Sequence, residues 1–369
     1  MRKKVLILTS YISGHGGMER VIDNITSIVN SNVDGEVGYK VDVLSLSDGI
    51  YDNTGIKRFL SSDNRNWVNS SILRKTKIKF KNKKLNSIYH FLYLICFLLK
   101  NDNYEYIIST GPGLCVLLEK IRSLTKNNFT IFGWPHFSAS SGNGNFLNFQ
   151  RSEKVLCISN GIMEELRLIG VRDECLIHFP NPFMRCDLHE MRLGSSPGNN
   201  LVYVGRFLFE GQKRIKDIID AVSIADEDFM VHLIGDGQDY EIIREYISQK
   251  DLGHRIVIHK GWFNDPWSVV NNISGLILSS DYEGLPTVLG EALSRGIPCI
   301  SSDCETGPRD FIKDGVNGFL YPPRDITSLA KCIDNLLSHG VKCSPEEISQ
   351  TMDFFYEESF LSRWRKCLI

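Results

Sequence analysis

Gly275-Leu276-Ile277-Leu278-Ser279, followed after three intervening residues by Glu283-Gly284-Leu285-Pro286-Thr287-Val288-Leu289-Gly290-Glu291, decides the fold class. The first piece is a short apolar run without alternation, as expected of a strand covered on both faces. The second is a strand-end loop that passes into a helix at Pro286-Thr287, where the first amides have no intrahelical partner. The same rhythm recurs outward. Leu201–Val204, Met230–Ile234 and Ile256–His259 precede it and Pro298–Ser301 follows it. An earlier series comprises Val5–Leu8, which leads through a Gly-rich turn into the helical pattern Met18–Val29, and then Tyr106–Ser109, Thr130–Trp134 and Val155–Ser159. Strands alternating with helices predict parallel sheets with helices on both faces, and two such series predict two α/β domains.

The chain has 369 residues, room for two domains that each bury a core. The break is expected near 183–199, where Gly194-Ser195-Ser196-Pro197-Gly198-Asn199 has loop composition and Phe179-Pro180-Asn181-Pro182 suits a stiff crossing. The expected division is an N-terminal domain 1–182 facing acceptor and membrane, a linker 183–199, and a C-terminal domain 200–350. Residues 351–369 are expected to form a helix packed back on the first domain. The balance of 42 Lys+Arg against 44 Asp+Glu removes the first argument for nucleic-acid binding. Split at residue 182, the same charges become 23 basic and 16 acidic, then 19 and 28. The ten cysteines show no C-x-x-C pair and read as reduced, mostly buried residues of a cytoplasmic protein rather than a disulfide framework or a zinc site. Met1–Leu8 begins like a signal peptide, but its apolar run is too short and reads as a first buried strand.

No acidic residue lies between Asp63 and Asp102, and Arg74, Lys75, Lys77, Lys79, Lys81, Lys83 and Lys84 fall within eleven residues of that gap. Leu85–Leu99 follows, apolar throughout from Phe91. It is too short to cross a bilayer, which needs about 20 residues in a helix. One reading is a solvated loop before a core helix; the other is a patch docking on anionic lipid.

Three further features carry chemistry. Ser13-Gly14-His15-Gly16-Gly17-Met18-Glu19 joins the first strand to the first helix, where glycines let backbone amides approach a phosphate. It does not complete a G-x-G-x-x-G fingerprint. Gly205-Arg206 follows a strand directly and Lys213 stands seven residues on, placing two cations at the strand end where open α/β sheets bind ligands. Glu283 and Glu291 set two carboxylates on one strand–loop–helix unit, suited to the vicinal hydroxyls of a ribose or a hexose. The only D-x-D, Asp226-Glu227-Asp228, reads as a solvated turn.

Gly16-Gly17-Met18-Glu19, Gly205-Arg206, Lys213, Gly235-Asp236-Gly237 and the E-x7-E pair Glu283/Glu291 together resemble retaining glycosyltransferase family 4. That resemblance implies the GT-B fold: two Rossmann-like domains whose parallel sheets face across a cleft. Phe132–Ser138, Phe209–Arg214 and Gly296–Cys304 are similar to the lipopolysaccharide-core galactosyltransferases of that family. The resemblance implies a donor, UDP-galactose, and a lipopolysaccharide core or related lipid-linked glycan as acceptor. It implies that Arg206 and Lys213 neutralise the leaving diphosphate, that Glu291 binds ribose, and that Glu283 holds the transferred sugar. Gly16 and Gly17 would close on the phosphate, and Gly284, Leu285 and Thr287 would lend amides. His136 would stand near the sugar, and Trp262 and Phe263 near the uracil. Gly235-Asp236-Gly237 is expected to shape the cleft as a turn. The Arg–Lys spacing is longer than the family's usual one.

No metal is demanded, since the two cations can serve the diphosphate. The expected location is cytoplasmic, peripheral on the inner face of the cytoplasmic membrane. Alternatives of the same fold use UDP-glucose, UDP-N-acetylglucosamine or GDP-mannose in O-antigen or capsule assembly. More remote are a sugar-nucleotide epimerase, an NAD-dependent oxidoreductase, and a non-catalytic lipid-docking module.

Overall fold

The computed structural model describes residues 2–10, 17–32, 38–46, 83–101, 103–142, 144–186 and 199–368. By packing, the chain divides into two units, Met1–Pro182 with Phe360–Ile369, and Phe183–Ser359.

In the first unit the elements run β1 (Lys3–Thr9), α1 (Gly17–Ser31), β2 (Tyr39–Ser45), α2 (Lys83–Lys100), β3 (Tyr104–Ser109), α3 (Pro112–Thr125), β4 (Thr130–Gly133), β5 (Lys154–Cys157), α4 (Asn160–Leu168) and β6 (Leu176–His178). The strands form one parallel sheet in the order β2-β1-β3-β4-β5-β6. Val5–Leu8, the run that mimics a leader, is fully buried in β1. Two strands fall outside the sequence-based expectation. β2 escapes because Lys40 and Asp42 interrupt its apolar run; Tyr104 Oη donates to Asp42 Oδ2 at 2.9 Å, so the acid is satisfied at the sheet edge. β6 has only three residues.

Of the two readings of Leu85–Leu99, the exposure of α2 departs from that of a plain core helix. Among the described side chains of α2 only Leu94 and Leu98 are fully buried, while Leu85, Ile88, Leu92 and Leu99 are each about half exposed, at 48, 54, 56 and 54%. Arg74, Lys75, Lys77, Lys79 and Lys81 lie outside the described residues; Lys83 and Lys84 open α2. Among the described residues no helix is long and apolar enough to cross a membrane.

From Phe360 onward, the helix Glu357–Cys367 belongs to this unit. Phe360 stacks edge-on to Phe179 with centroids 5.4 Å apart, and Trp364 lies 6.3 Å from both Phe179 and Tyr39. The Leu368 carbonyl accepts from Tyr106 Oη at 2.7 Å, Tyr39 Oη at 3.3 Å and Lys3 Nζ at 3.4 Å.

In the second unit the elements are β7 (Asn200–Val204), α5 (Ile215–Val222), β8 (Met230–Gly235), α6 (Tyr240–Gln249), β9 (Ile256–Lys260), β10 (Ile273–Leu278), α7 (Thr287–Ser294), β11 (Cys299–Ser302), α8 (Pro308–Phe311), β12 (Gly318–Tyr321), α9 (Ile326–His339) and α10 (Pro345–Gln350). The sheet is again parallel, in the order β12-β11-β10-β7-β8-β9. Counted from β7 and read from its β9 edge, this is the dinucleotide-fold order 3-2-1-4-5-6, whose strand direction of travel reverses between β7 and β10. The crevice above that reversal is where such sheets take ligands. Leu201, Tyr203, Val231, Leu233 and Ile277 pack one sheet face against Ile218, Ile219, Leu329 and Ile333 of α5 and α9.

Phe183, expected at the start of a linker, is buried in this unit instead. Its amide donates to Phe355 O at 3.0 Å, and its ring meets Phe311 with centroids 5.5 Å apart. A Cβ on Gly290 would stand 2.4 Å from that ring, so the glycine before Glu291 is what lets Phe183 close on α7. Of the cysteines, five are buried, four half-buried and Cys96 exposed, all as free thiols.

Trp364 is 2% exposed among aromatic neighbours. Trp364→Ala is expected to destabilise the first unit by about 3–5 kcal/mol through transfer and cavity costs. A urea titration followed by circular dichroism measures this; a loss below about 1 kcal/mol would show that the helix is not part of that core.

Candidate active site

The site of the second unit is assembled from four strand ends. β7 delivers Gly205 and Arg206. Gly205 N donates to Ile234 O at 3.0 Å, and the fully buried Tyr203 hydroxyl donates to Arg206 O at 2.7 Å. The backbone at Arg206 is therefore pinned from below while its side chain stays exposed. β8 ends in Gly235-Asp236-Gly237, a turn rather than a row of reactive groups. Gly235 has φ +150, and a Cβ there would meet Gly205 O at 1.9 Å, so only glycine allows the β7 and β8 ends to approach. Asp236 Oδ1 accepts from Gly237 N at 2.8 Å, and Asp236 O accepts from Phe207 N at 2.9 Å.

The helix after β7 supplies the second cation. Lys213 precedes α5, whose N-cap Arg214 has φ +48 and forks onto Asp217 at 3.0 and 2.8 Å. Ser279 Oγ, at the end of β10, donates to Lys213 O at 2.8 Å and Arg214 O at 3.0 Å, which fixes this turn beside the β10 loop. From there Lys213 Nζ reaches Glu283 Oε1 at 2.5 Å. Both side chains are mostly buried, at 15 and 9% exposure. Glu283 is braced from behind by Thr306 Oγ1, which donates to the Glu283 carbonyl. The negative charge of Glu283 and full burial together raise the Tyr203 hydroxyl well above its ordinary range, burial first. Arg206 joins the same loop more loosely: its Nη2 donates to Gln212 Oε1 at 3.4 Å, and Gln212 Nε2 donates to Tyr282 O at 2.9 Å.

α7 begins at Thr287 and carries Glu291. Gly284 and Leu285 are buried in the loop before it. Glu291 Oε2 accepts from Trp267 Nε1 at 3.2 Å. Trp262 and Phe263, after β9, are 44 and 40% exposed. The sequence points to those two rings; Trp267, which it did not single out, donates to the acid. Thr306, Gln212 and Trp267 were all missed; no spacing rule reports which loop a side chain will reach.

The remaining candidates belong to the first unit. Gly17 opens α1 and is exposed; Gly16 lies outside the described residues. His136 follows β4, 8% exposed, its ring centroid 4.1 Å from that of Trp134, and its Nε2 has no hydrogen-bond partner. Glu165 of α4 holds the adjoining turn, accepting from Ser138 Oγ at 2.5 Å and Ala139 N at 2.7 Å. Burial lowers the His136 imidazole from 6.5 to about 3. Among the described residues no three His, Cys, Asp or Glu side chains gather as a metal site.

Chemically, the second unit offers two cations and two carboxylates around the β7/β10 crevice, one cation exposed and one engaged by Glu283. That arrangement suits a ligand combining anionic oxygens with hydroxyls. The family described as Glycosyl transferases group 1 matches residues 192–350. The chain is 30% identical to lipopolysaccharide 1,6-galactosyltransferase of Salmonella typhimurium, covering 99% of this chain and 98% of that one. It is 31% identical to the protein of the same description from Escherichia coli K12, with the same coverage. Among solved structures, the apo lipopolysaccharide outer core galactosyltransferase WaaB is similar with a TM-score of 0.77, 29% identity and 98% of both chains covered. The Anabaena HepE complex with UDP has a TM-score of 0.73 at 17% identity, covering 99% of both chains, a likeness of fold. The fold is GT-B.

Because the folded His136 ring binds its proton only near pH 3, it is neutral throughout the working range. Between pH 6.5 and 3 the unfolded chain takes up a proton here that the folded chain does not, so this residue's contribution to stability falls as pH drops through that window. The His136 Hε1 resonance should stay constant from pH 8 to 5, and His136→Gln should flatten the decline of unfolding free energy below pH 6.5. A titration midpoint near 6.5 would show that water reaches the ring.

Proposed function

Because the chain belongs to the glycosyl transferases group 1 family, we propose that it moves galactose from UDP-galactose, with retention of configuration, onto a lipopolysaccharide core or a related lipid-linked glycan. The observation that carries this reading is the Lys213–Glu283 contact beside exposed Arg206 at the β7/β10 reversal. Near-full-length likeness to the two galactosyltransferases supports the choice of sugar and acceptor.

In this reading the diphosphate lies over Arg206 and Lys213. As the bond from the anomeric carbon to the phosphate oxygen breaks, negative charge builds on the leaving group. Cations already held in place stabilise it without reorganising, commonly the largest catalytic contribution. Glu283 keeps the Lys213 ammonium aimed and accepts from hydroxyls of the transferred sugar. Glu291 accepts from the ribose hydroxyls, and amides of Gly284, Leu285 and Thr287 add donors to sugar and phosphate. Trp262 and Phe263, whose rings are exposed, stack near the uracil. Gly16 and Gly17 keep the phosphate role that the family resemblance implies for them. Neutral His136 offers its unpartnered Nε2 to a sugar hydroxyl and supports positive charge at the anomeric carbon. Attack by the acceptor hydroxyl from the face of the leaving phosphate, with that phosphate taking the proton, retains configuration. The two cations serve the diphosphate without a metal.

The proposal is tested with UDP-galactose, UDP-glucose, UDP-N-acetylglucosamine and GDP-mannose against truncated lipopolysaccharide acceptors, with linkage and anomeric configuration read by NMR. Transfer from UDP-galactose with the donor's α configuration is expected, and Arg206→Ala should lower kcat by about 10²–10³ with an unchanged melting temperature. Preference for another sugar, or a β-linked product, would overturn the assignment.

The acceptor's lipid also bears on location. Leu85, Ile88, Leu92 and Leu99 line an exposed apolar stripe of α2 at helical spacing, next in sequence to the seven cations of 74–84. Such a stripe beside cations suits peripheral docking on an anionic leaflet at the cytoplasmic face of the inner membrane. Ile88→Glu with Leu92→Glu should abolish sedimentation with anionic vesicles, and wild-type binding should weaken as salt rises. Equal sedimentation of variant and wild type would reject the docking face.

A further inference from the structure

We propose that Trp267 is a positioning residue for nucleotide recognition, holding the Glu291 carboxylate ready for the ribose hydroxyls. This rests on the ribose role given to Glu291 above. The argument begins with what an indole does when buried here. Trp134 and Trp364 are buried with Nε1 unpartnered, so at those sites the ring serves as apolar bulk. Trp267 is equally buried, at 4% exposure, yet its Nε1 points at a carboxylate oxygen, 3.2 Å from Glu291 Oε2. A hydrogen bond to an ionised acceptor is stronger than a neutral one and fixes direction as well as distance.

The residue is itself held at its backbone and on its ring face. Its backbone amide donates to Asp265 Oδ1 at 3.2 Å, capping the short 3-10 turn Pro266–Ser268. The Arg295 guanidinium lies over the ring, 5.1 Å from its centroid, and approaches Asp265 Oδ1 at 3.9 Å. Arg295 Nη1 also donates to the Glu291 carbonyl at 3.0 Å. One arginine thus ties the ring and the backbone of the residue the ring addresses. A first contact whose partners are locked by a second layer is the arrangement that preserves a binding geometry.

The position of Trp267 in the chain adds a consequence. It stands five residues after Trp262 and four after Phe263, in the segment following β9, whereas Glu291 belongs to α7 after β10. The indole therefore joins the segment assigned to the base with the helix assigned to the ribose. That N–H links the two elements at the carboxylate itself, beside the Arg295 contact to the Glu291 backbone.

The test is calorimetry of UDP and of 2′,3′-dideoxyuridine diphosphate, which lacks the ribose hydroxyls, with wild type, Trp267→Phe, Glu291→Ala and the double variant. Trp267→Phe should weaken UDP roughly tenfold to a hundredfold, within the range for a hydrogen bond to a charged group. It should leave the dideoxy ligand unchanged, and the double variant should bind UDP no more weakly than Glu291→Ala alone. If Glu291→Ala weakens UDP and Trp267→Phe does not, the positioning role is overturned and the ribose role stands. If Glu291→Ala changes nothing, both fall. If Trp267→Phe weakens both ligands alike, the ring is only structural and the proposal is overturned. Should the phenylalanine variant fail to fold, Glu291→Gln with ¹⁵N-labelled tryptophan decides the matter. One of the five indole N–H signals should move upfield, and no movement would overturn the proposal.

Discussion

A lysine ammonium and a glutamate carboxylate 2.5 Å apart, both largely withdrawn from water, form a contact that a surface would not need and an interior tolerates only when its geometry is maintained. Separating one partner from the other costs several kcal/mol at such depth, so the surrounding backbone must keep Lys213 and Glu283 in register. It does so with groups that have no chemistry of their own. Ser279 Oγ fastens the Lys213 turn to the end of β10, and Thr306 holds the Glu283 carbonyl from the loop after β11. Tyr203 pins the Arg206 backbone from beneath. Three neighbouring strands thus converge on one ion pair, and the parallel order of the sheet is what brings their ends together.

The strand order explains why residues distant in sequence share the crevice. β7 and β10 are adjacent although 68 residues separate the end of one from the start of the other. Arg206 and Glu283 follow these two strands, and each occupies the space that opens where the chain changes direction across the sheet. The glycines nearby serve the same end. Gly235 lets the β8 end approach Gly205, and Gly290 lets Phe183 press against α7. Both are requirements of packing, though Gly290 directly precedes Glu291, a residue assigned to the ligand.

Continuous apolar runs made the two parallel sheets legible in the sequence, because strands buried on both faces leave no other pattern. β2 was hidden by Lys40 and Asp42, which an edge strand can carry, and β6 by its three-residue length; β12, at the far sheet edge, was missed as well. The site was legible as residue types at strand ends: Gly205-Arg206, Lys213, Glu283 and Glu291 announce a polar crevice. The contacts among them were not. Lys213 could be placed near a phosphate by spacing, but its engagement with Glu283 depends on a turn fastened by Ser279. Trp267 was invisible for the same reason, since aromatic residues after a strand look alike whether they fill a core or address an acid. α2 stayed ambiguous, since a nine-residue apolar run suits a core helix or a docking face alike; among its described side chains Leu94 and Leu98 are the ones fully buried.

Residues 360–368 complete the packing of the first unit, with Trp364 among its aromatic residues and the Leu368 carbonyl collecting three donors from β1, β2 and β3. These residues are synthesised after the whole of 183–359. The first unit therefore begins to form earliest on the ribosome and is finished last, while the second can fold entirely from contiguous chain. For that interval the Tyr39, Phe179 and Tyr106 side chains stand without their covering helix. An apolar surface that belongs to no mature state is then exposed, and the time spent in it is set by the elongation rate.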